Sequence, residues 1–327
     1  MFNTNNVKVR TMEPIRLAVT VDDLFLWKKT WWAPGFSPAV VTQALIEALR
    51  RHDIKGVYAF SCTSPCVADP TLFKLLDAWV EAGHFVANHT HYHASLNWVP
   101  AEQYICDIEQ TESFVSQWMS YSPAKYFRYA MDNWGESQQK HDGVHRYLVR
   151  KGYQTVPITS WFYDTEFLAP HYRASISGDR SAIEIVKKRF IRTALQQLVN
   201  HAAAARRVFA RDFPHIWLIH GTPLAAQCLP EILDRFAEAG VTFISLAEAM
   251  QDPANSAPAG VVTSRFLNQI QKWAHMDGFS LPDCPPAVLA ELEKLYPMPG
   301  LSTREMMGSI FGSIAEEVTG NYIPKAY

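Results

Sequence analysis

His89-Thr90-His91-Tyr92-His93 sets three imidazoles within one short run, and Asp22-Asp23 supplies two adjacent carboxylates far upstream. Two neutral imidazoles and one carboxylate make a three-ligand site with a fourth position open to water, the arrangement of a hydrolytic zinc centre. If the turn between them coils helically, His89 and His93 fall on one side and reach one ion. Asp23 is the natural carboxylate, because it ends an apolar run from Ile15 to Val21. Each motif alone has a plainer explanation: a solvated histidine turn, or a carboxylate capping a helix. Their joint occurrence at two strand ends favours a site.

The elements that must hold these side chains follow from the apolar pattern. Seven β-rich runs recur: Ile15 to Val21, Gly56 to Cys62, Gly83 to Ala87, Tyr126 to Tyr129, Tyr153 to Ser160, His215 to Ile219 and Val241 to Leu246. Helical periodicity fills the intervals, with Ser37-Pro38 and Asp69-Pro70 as starts and Gly83, Gly152 and Gly240 as stops. Such alternation calls for an α/β fold with a parallel sheet or barrel. Asp22, Asp23, His89, His93, Arg128, Asp164 and His220 all fall at or just past strand C-termini. In a closed parallel sheet those ends meet at one mouth.

The chain has 327 residues, enough for a large α/β domain with an appendage, and 48% are hydrophobic, as in a globular protein. A net charge of -2 gives no footprint for nucleic acid or an anionic membrane surface. No apolar run is long enough to span a bilayer. Residues 1–14 form a polar arm without the apolar core of a signal peptide, so a cytoplasmic protein is expected. Cys62, Cys66, Cys106, Cys228 and Cys284 are odd in number and scattered, which argues against a disulfide framework. After Gln251 the composition shifts: a linker, Asp252 to Gly260, leads to three helical patterns, Val262 to His275, Pro286 to Tyr296 and Arg304 to Val318. Residues 251–327 read as a helical extension packed on the barrel of residues 15–250, with a lid or a homo-oligomer contact as its functional alternatives.

Taken together these residues resemble the polysaccharide deacetylases with a NodB-type domain, carbohydrate esterase family 4. Thr20-Val21-Asp22-Asp23 is similar to the first family motif, in which the earlier aspartate is the base and the later one binds metal. His89-Thr90-His91-Tyr92-His93 resembles the second, whose outer histidines are ligands. Phe127-Arg128-Tyr129 resembles the third, whose arginine orients the base. Asp164 stands where the fourth places a carboxylate beside the catalytic histidine, and Leu218-Ile219-His220 resembles the fifth, whose histidine is the acid. The resemblance covers roughly residues 15 to 250 and implies a distorted (β/α)7 barrel. Two departures stand out. Ala130-Met131-Asp132 replaces the prolines that usually follow the arginine, and Thr165 replaces the tryptophan that usually follows the aspartate. Trp134 or Trp161 would then supply a wall of the acyl pocket.

Each role has a physical basis. An ion at Asp23, His89 and His93, zinc first and cobalt or nickel as alternatives, would polarise an amide carbonyl and acidify water. Asp22 would take the proton of the attacking water, with Arg128 keeping it ionised. A backbone N–H near Tyr129 would help hold the oxyanion. His220, charged with help from Asp164, would protonate the leaving amine. His91 has no assigned role. The expected activity is deacetylation of an N-acetylated sugar, an oligosaccharide or a related small amide. A cytosolic hydrolase of cyclic amides or ureides, and a catalytically silent carbohydrate-binding protein, are the alternatives. The adjacent Asp22-Asp23 pair favours the deacetylase over the first, and the retained Asp22 and His220 over the second.

Overall fold

The computed structural model describes residues 14–257, 259, 261–279 and 286–322. Apart from Pro14, the expected N-terminal arm lies outside these residues, as does Cys284. The first apolar run forms strand β1 (Arg16–Asp22), buried at every position after Arg16. A strand covered on both faces reads as an unbroken apolar run, which is how parallel sheets differ from half-exposed ones. The others are β2 (Tyr58–Ser61), β3 (Phe85–Asn88), β4 (Tyr126–Phe127), β5 (Gln154–Thr155), β6 (Ser160–Trp161), β7 (His215–His220) and β8 (Thr242–Ile244).

All pairings are parallel, in the order β5-β4-β3-β2-β1-β7-β6. β7 lies along β1 from Leu17 to Asp22. The opposite edge is shared, with β8 against Arg16–Ala18 and β2 against Thr20–Asp22. The result is the expected distorted (β/α)7 barrel, curled but not closed by hydrogen bonds. Its two end strands, β5 and β6, come from the single run Tyr153 to Ser160. Pro157 has no N–H to donate, so the run cannot continue as one strand. Residues 156–159 instead carry the chain from one sheet end to the other, with Val156 N–H bonded to Phe127 O and Thr159 N–H to Ile216 O. The seam of the barrel is therefore covalent.

Helices follow the strands and fix where their ends point. Ser37 caps Pro38–Arg51 by accepting from Val40 N–H, Asp179 caps the unbroken helix Arg180–Phe209, and Thr222 caps Pro223–Glu238 directly after β7. Leu168–Ser177 is also helical. Beyond the barrel, the region read as a linker contains one helical turn, Pro253–Ser256, with Asn255 buried. Three helices then follow: Gln269–Met276 and Thr303–Thr319, each opened by a capping box, and Pro286–Leu292. Val262 to Asn268 is not helical. These helices are tied to the barrel by buried cations. Arg173, fully buried, donates from Nε to Leu295 O at 3.1 Å and from Nη2 to Leu292 O at 3.1 Å. Lys272, 1% exposed, reaches Asp132 beside β4. Among the described residues no helix is long and apolar enough to cross a membrane.

Candidate metal centre

β1 ends at Asp22, and Asp23 turns away with φ +45°. That turn puts the two neighbouring carboxylates to different uses. Asp22 pairs with the guanidinium of fully buried Arg128, which also donates to Thr20 Oγ1 at 2.9 Å and lies 4.1 Å over the Phe60 ring. Asp23 receives the Trp27 indole N–H on Oδ2 at 2.9 Å and Cys62 N–H on Oδ1 at 3.3 Å. Burial alone would raise the Asp23 carboxyl, yet His93, with His89 and His220, holds it well below the usual carboxylate range.

The histidine run leaves β3 as a turn, not as a helical coil. Thr90 and His93 both adopt positive φ, +65° and +60°, and this folds His93 back toward His89 with ring centroids 5.0 Å apart. Such backbone is uncommon for these residues and is held by hydrogen bonds. Thr90 N–H donates to Asn88 Oδ1, His93 N–H to Thr90 Oγ1, and the His91 and Tyr92 N–H groups to buried Asp107. His91 leaves the centre altogether: its Nδ1 meets the Thr63 hydroxyl at 2.7 Å and its ring stacks on Phe114.

Asp23, His89 and His93 bring one ligand atom each within 4.8 Å of one another, and all three are buried. His93 Nε2 is 3.1 Å and His89 Nε2 4.0 Å from Asp23 Oδ2. His89 Nδ1 lies 2.9 Å from Arg128 O, which fixes the Nδ1–H tautomer and turns the Nε2 lone pair toward the carboxylates. That Nε2 is buried and has no hydrogen-bond partner. Burial also pushes His89 below its ordinary pKa, against the pull of Asp22 and Asp23, so the ring is a neutral donor. An unsatisfied buried imidazole nitrogen facing an ionised carboxylate fits a divalent cation, and two nitrogens with one oxygen suit zinc.

Opposite stands His220 at the end of β7, in register with Asp22. Asp164 accepts its ring Nδ1–H at 2.9 Å and its backbone N–H at 2.6 Å. Burial disfavours the imidazolium, but Asp164, with Asp22 and Asp23, overcomes it and lifts His220 to about 9. The charged ring beside them keeps Asp164 ionised below its ordinary value although burial opposes this. Between the two histidine groups lies a cavity of about 40 Å³, lined by Asp22, His89, His93, Thr165, His220 and apolar side chains.

Residues 10–147 match the family model described as polysaccharide deacetylase. That stretch is similar to the polysaccharide deacetylases. The fold of most of the chain resembles that of a carbohydrate esterase family 4 pseudoenzyme from Bacillus anthracis, with TM-score 0.50 and 12% identity over 73% of this chain and 66% of that one. A mutant of the same protein with restored enzymatic activity gives TM-score 0.51 and 13% identity over 73% and 68%. The catalytic domain of peptidoglycan N-acetylglucosamine deacetylase from Eubacterium rectale gives 0.47 and 15% over 71% and 88%. A comparison with curated proteins finds no match.

The expected deacetylase residues thus gather at one mouth: Asp22, Asp23, His89, His93 and His220, with Arg128 and Asp164 behind them. Of the aromatics expected to touch substrate, Trp161 lines the cavity beside Thr165. Tyr129 and Trp134 do not. They are 1% and 5% exposed and stack on each other, the Trp134 indole donating to Asp132. Several contributors escaped the sequence reading. Trp27 carried a signal, an indole four residues after Asp23. Met131, at φ +55°, and the distant Phe266 and Phe311 also line the cavity and carried none.

Proposed function

We propose that this chain is a metal-dependent hydrolase that removes an acetyl or similar short acyl group from an amino sugar or related small amide. The observation that carries the reading is the pairing of two opposed devices across one small cavity. On one side is a buried donor set, Asp23, His89 and His93; on the other is a cationic acid, His220 on Asp164. A divalent ion held by that donor set, most naturally zinc, would supply Lewis-acid polarisation of the amide carbonyl and a lowered pKa for the attacking water.

The protein's own groups complete the reaction. Asp22, held by Arg128 beside the donors, takes the proton of the attacking water. Arg128 keeps that carboxylate aimed, because its guanidinium is itself fixed by Thr20 and Phe60. A backbone N–H next to Tyr129 would donate to the developing oxyanion, which a bound ion would also stabilise. His220 enters the reaction protonated and gives its proton to the departing amine, which leaves poorly as an anion.

Metal analysis of the purified protein, followed by acetate release from a panel of N-acetylated sugars, tests this directly. Acetate release that requires zinc, cobalt or nickel supports the reading. A protein that takes up none of these ions, or binds them without releasing acetate from any sugar, overturns it.

A further inference from the structure

The cavity is closed on one side by side chains that belong neither to the strands nor to the loops that follow them. Phe311, on helix Thr303–Thr319, is 3% exposed and lies against the His93 ring at 5.7 Å and the Trp27 ring at 5.0 Å. Phe266, 39% exposed, meets Trp161 at 5.0 Å and stands where the cavity reaches solvent. The helix carrying Phe311 is fastened across the rim to the loop after Asp23. Lys28 pairs with Glu317 at 2.8 Å and Lys29 donates to Ser313 at 3.0 Å. Only about 40 Å³ remains, room for a few waters, and the three donors are at most 3% exposed. A polymer deacetylated at internal units needs a groove open at both ends. Here one end is filled by a phenyl ring.

We propose that Phe311 and Phe266 are specificity-determining residues that turn the mouth of the barrel into a dead-end pocket. It admits the acyl group of a small amide or of a terminal sugar and excludes the internal units of a polymer. The substrate side of this inference rests on the deacetylase reading; the roof itself does not.

Two measurements on the full-length protein separate them. With zinc bound, kcat/KM is compared for N-acetylglucosamine and for the internal units of chitohexaose. Wild type should favour the monosaccharide by about a hundredfold, and Phe311→Ala should narrow the gap about tenfold, with Phe266→Ala between them. Equal use of internal units by wild type, or an unchanged gap in Phe311→Ala, overturns the proposal. In metal-free protein, carbethoxylation of His93 by diethyl pyrocarbonate is followed by peptide mass spectrometry. Wild type and Phe311→Leu should react about tenfold more slowly than Phe311→Ala, since a bulky apolar side chain at this position excludes reagent and a methyl group leaves a gap. Equal labelling of all three overturns the roof. Failure of every sugar to react would sink the deacetylase reading alone, and the labelling would still decide the roof.

Discussion

The Lys272 ammonium lies 3.2 Å from the Asp132 carboxylate and donates to Asp132 O at 2.7 Å, joining positions 140 residues apart. Both side chains are almost fully buried. The pair clamps the turn Ala130–Asp132, where Met131 and Asp132 both have positive φ and where the resembled family carries prolines. A proline stiffens a turn through its ring; here an ion pair from the extension does the stiffening. Removing one partner strands the other charge out of water, so Lys272→Met should destabilise the fold by about 3 kcal/mol or more. Adding Asp132→Asn should recover part of that loss. Denaturant unfolding of the single and double variants measures both, and an additive double variant would refute the coupling.

Asp22 and Asp23 should separate cleanly on mutation. Asp22→Asn keeps the donor set and should bind zinc with turnover reduced about a thousandfold or more. His89→Ala removes a donor and should lose both the ion and activity. Metal stoichiometry measured beside acetate release distinguishes the two. Loss of the ion in Asp22→Asn would make that residue a ligand and leave the base unassigned.

His220 gives a pH dependence of defined sign. Its folded pKa, about 9, lies above the ordinary 6.5, chiefly through Asp164 acting against burial. Stability from the charged ring is therefore complete below pH 6.5 and lost as pH rises through about 9. Activity that needs the protonated acid should fall on the same alkaline side. Asp164→Asn should move that limb of the kcat/KM profile to lower pH. An unmoved limb would show that another group sets it.

Chelation should lower the melting temperature, because the donor set exists only in the folded chain. At a hundredfold excess of free ion over Kd the bound ion contributes about 2.7 kcal/mol. Thermal unfolding with zinc and with EDTA reads the difference, which should vanish in His93→Ala.

Gly221, directly after His220, has no space for a side chain: a Cβ there would lie 2.4 Å from Leu24 O and 2.9 Å from Asp23 O. Gly221→Ala must push the ends of β1 and β7 apart. It should cost about 1 to 3 kcal/mol and weaken zinc binding, measured by titration. Unchanged affinity would mean that the two strand ends can part without disturbing the donors.

What the amino-acid order revealed was whatever has a local signature. β1 announces itself as an apolar run ending in Asp22-Asp23, and β7 as one ending in His220, since burial on both faces leaves a continuous pattern. Pro157 marks the split of Tyr153 to Ser160, yet the run on both sides of it has the pattern of one strand, and the aromatic stretch Trp161-Phe162-Tyr163 masks the start of Leu168–Ser177. The bend that joins His89 to His93 depends on Asp107, far along the chain, and so looked like a helical turn. Phe311 and Lys272 act through tertiary contacts alone. An isolated phenylalanine or lysine on an amphipathic helix looks the same whether it faces solvent, core or a catalytic mouth.

The order of the chain has a consequence for biosynthesis. A ribosome finishes Asp23, His89, His93 and His220 before Phe266, Lys272 or Phe311 has been translated. Until the last helices are made, no aromatic ring from them can cover these donors. If the donor set takes up an ion, metal-free purified protein should fill slowly, because an entering ion must pass Phe311, and faster once that last helix is loosened.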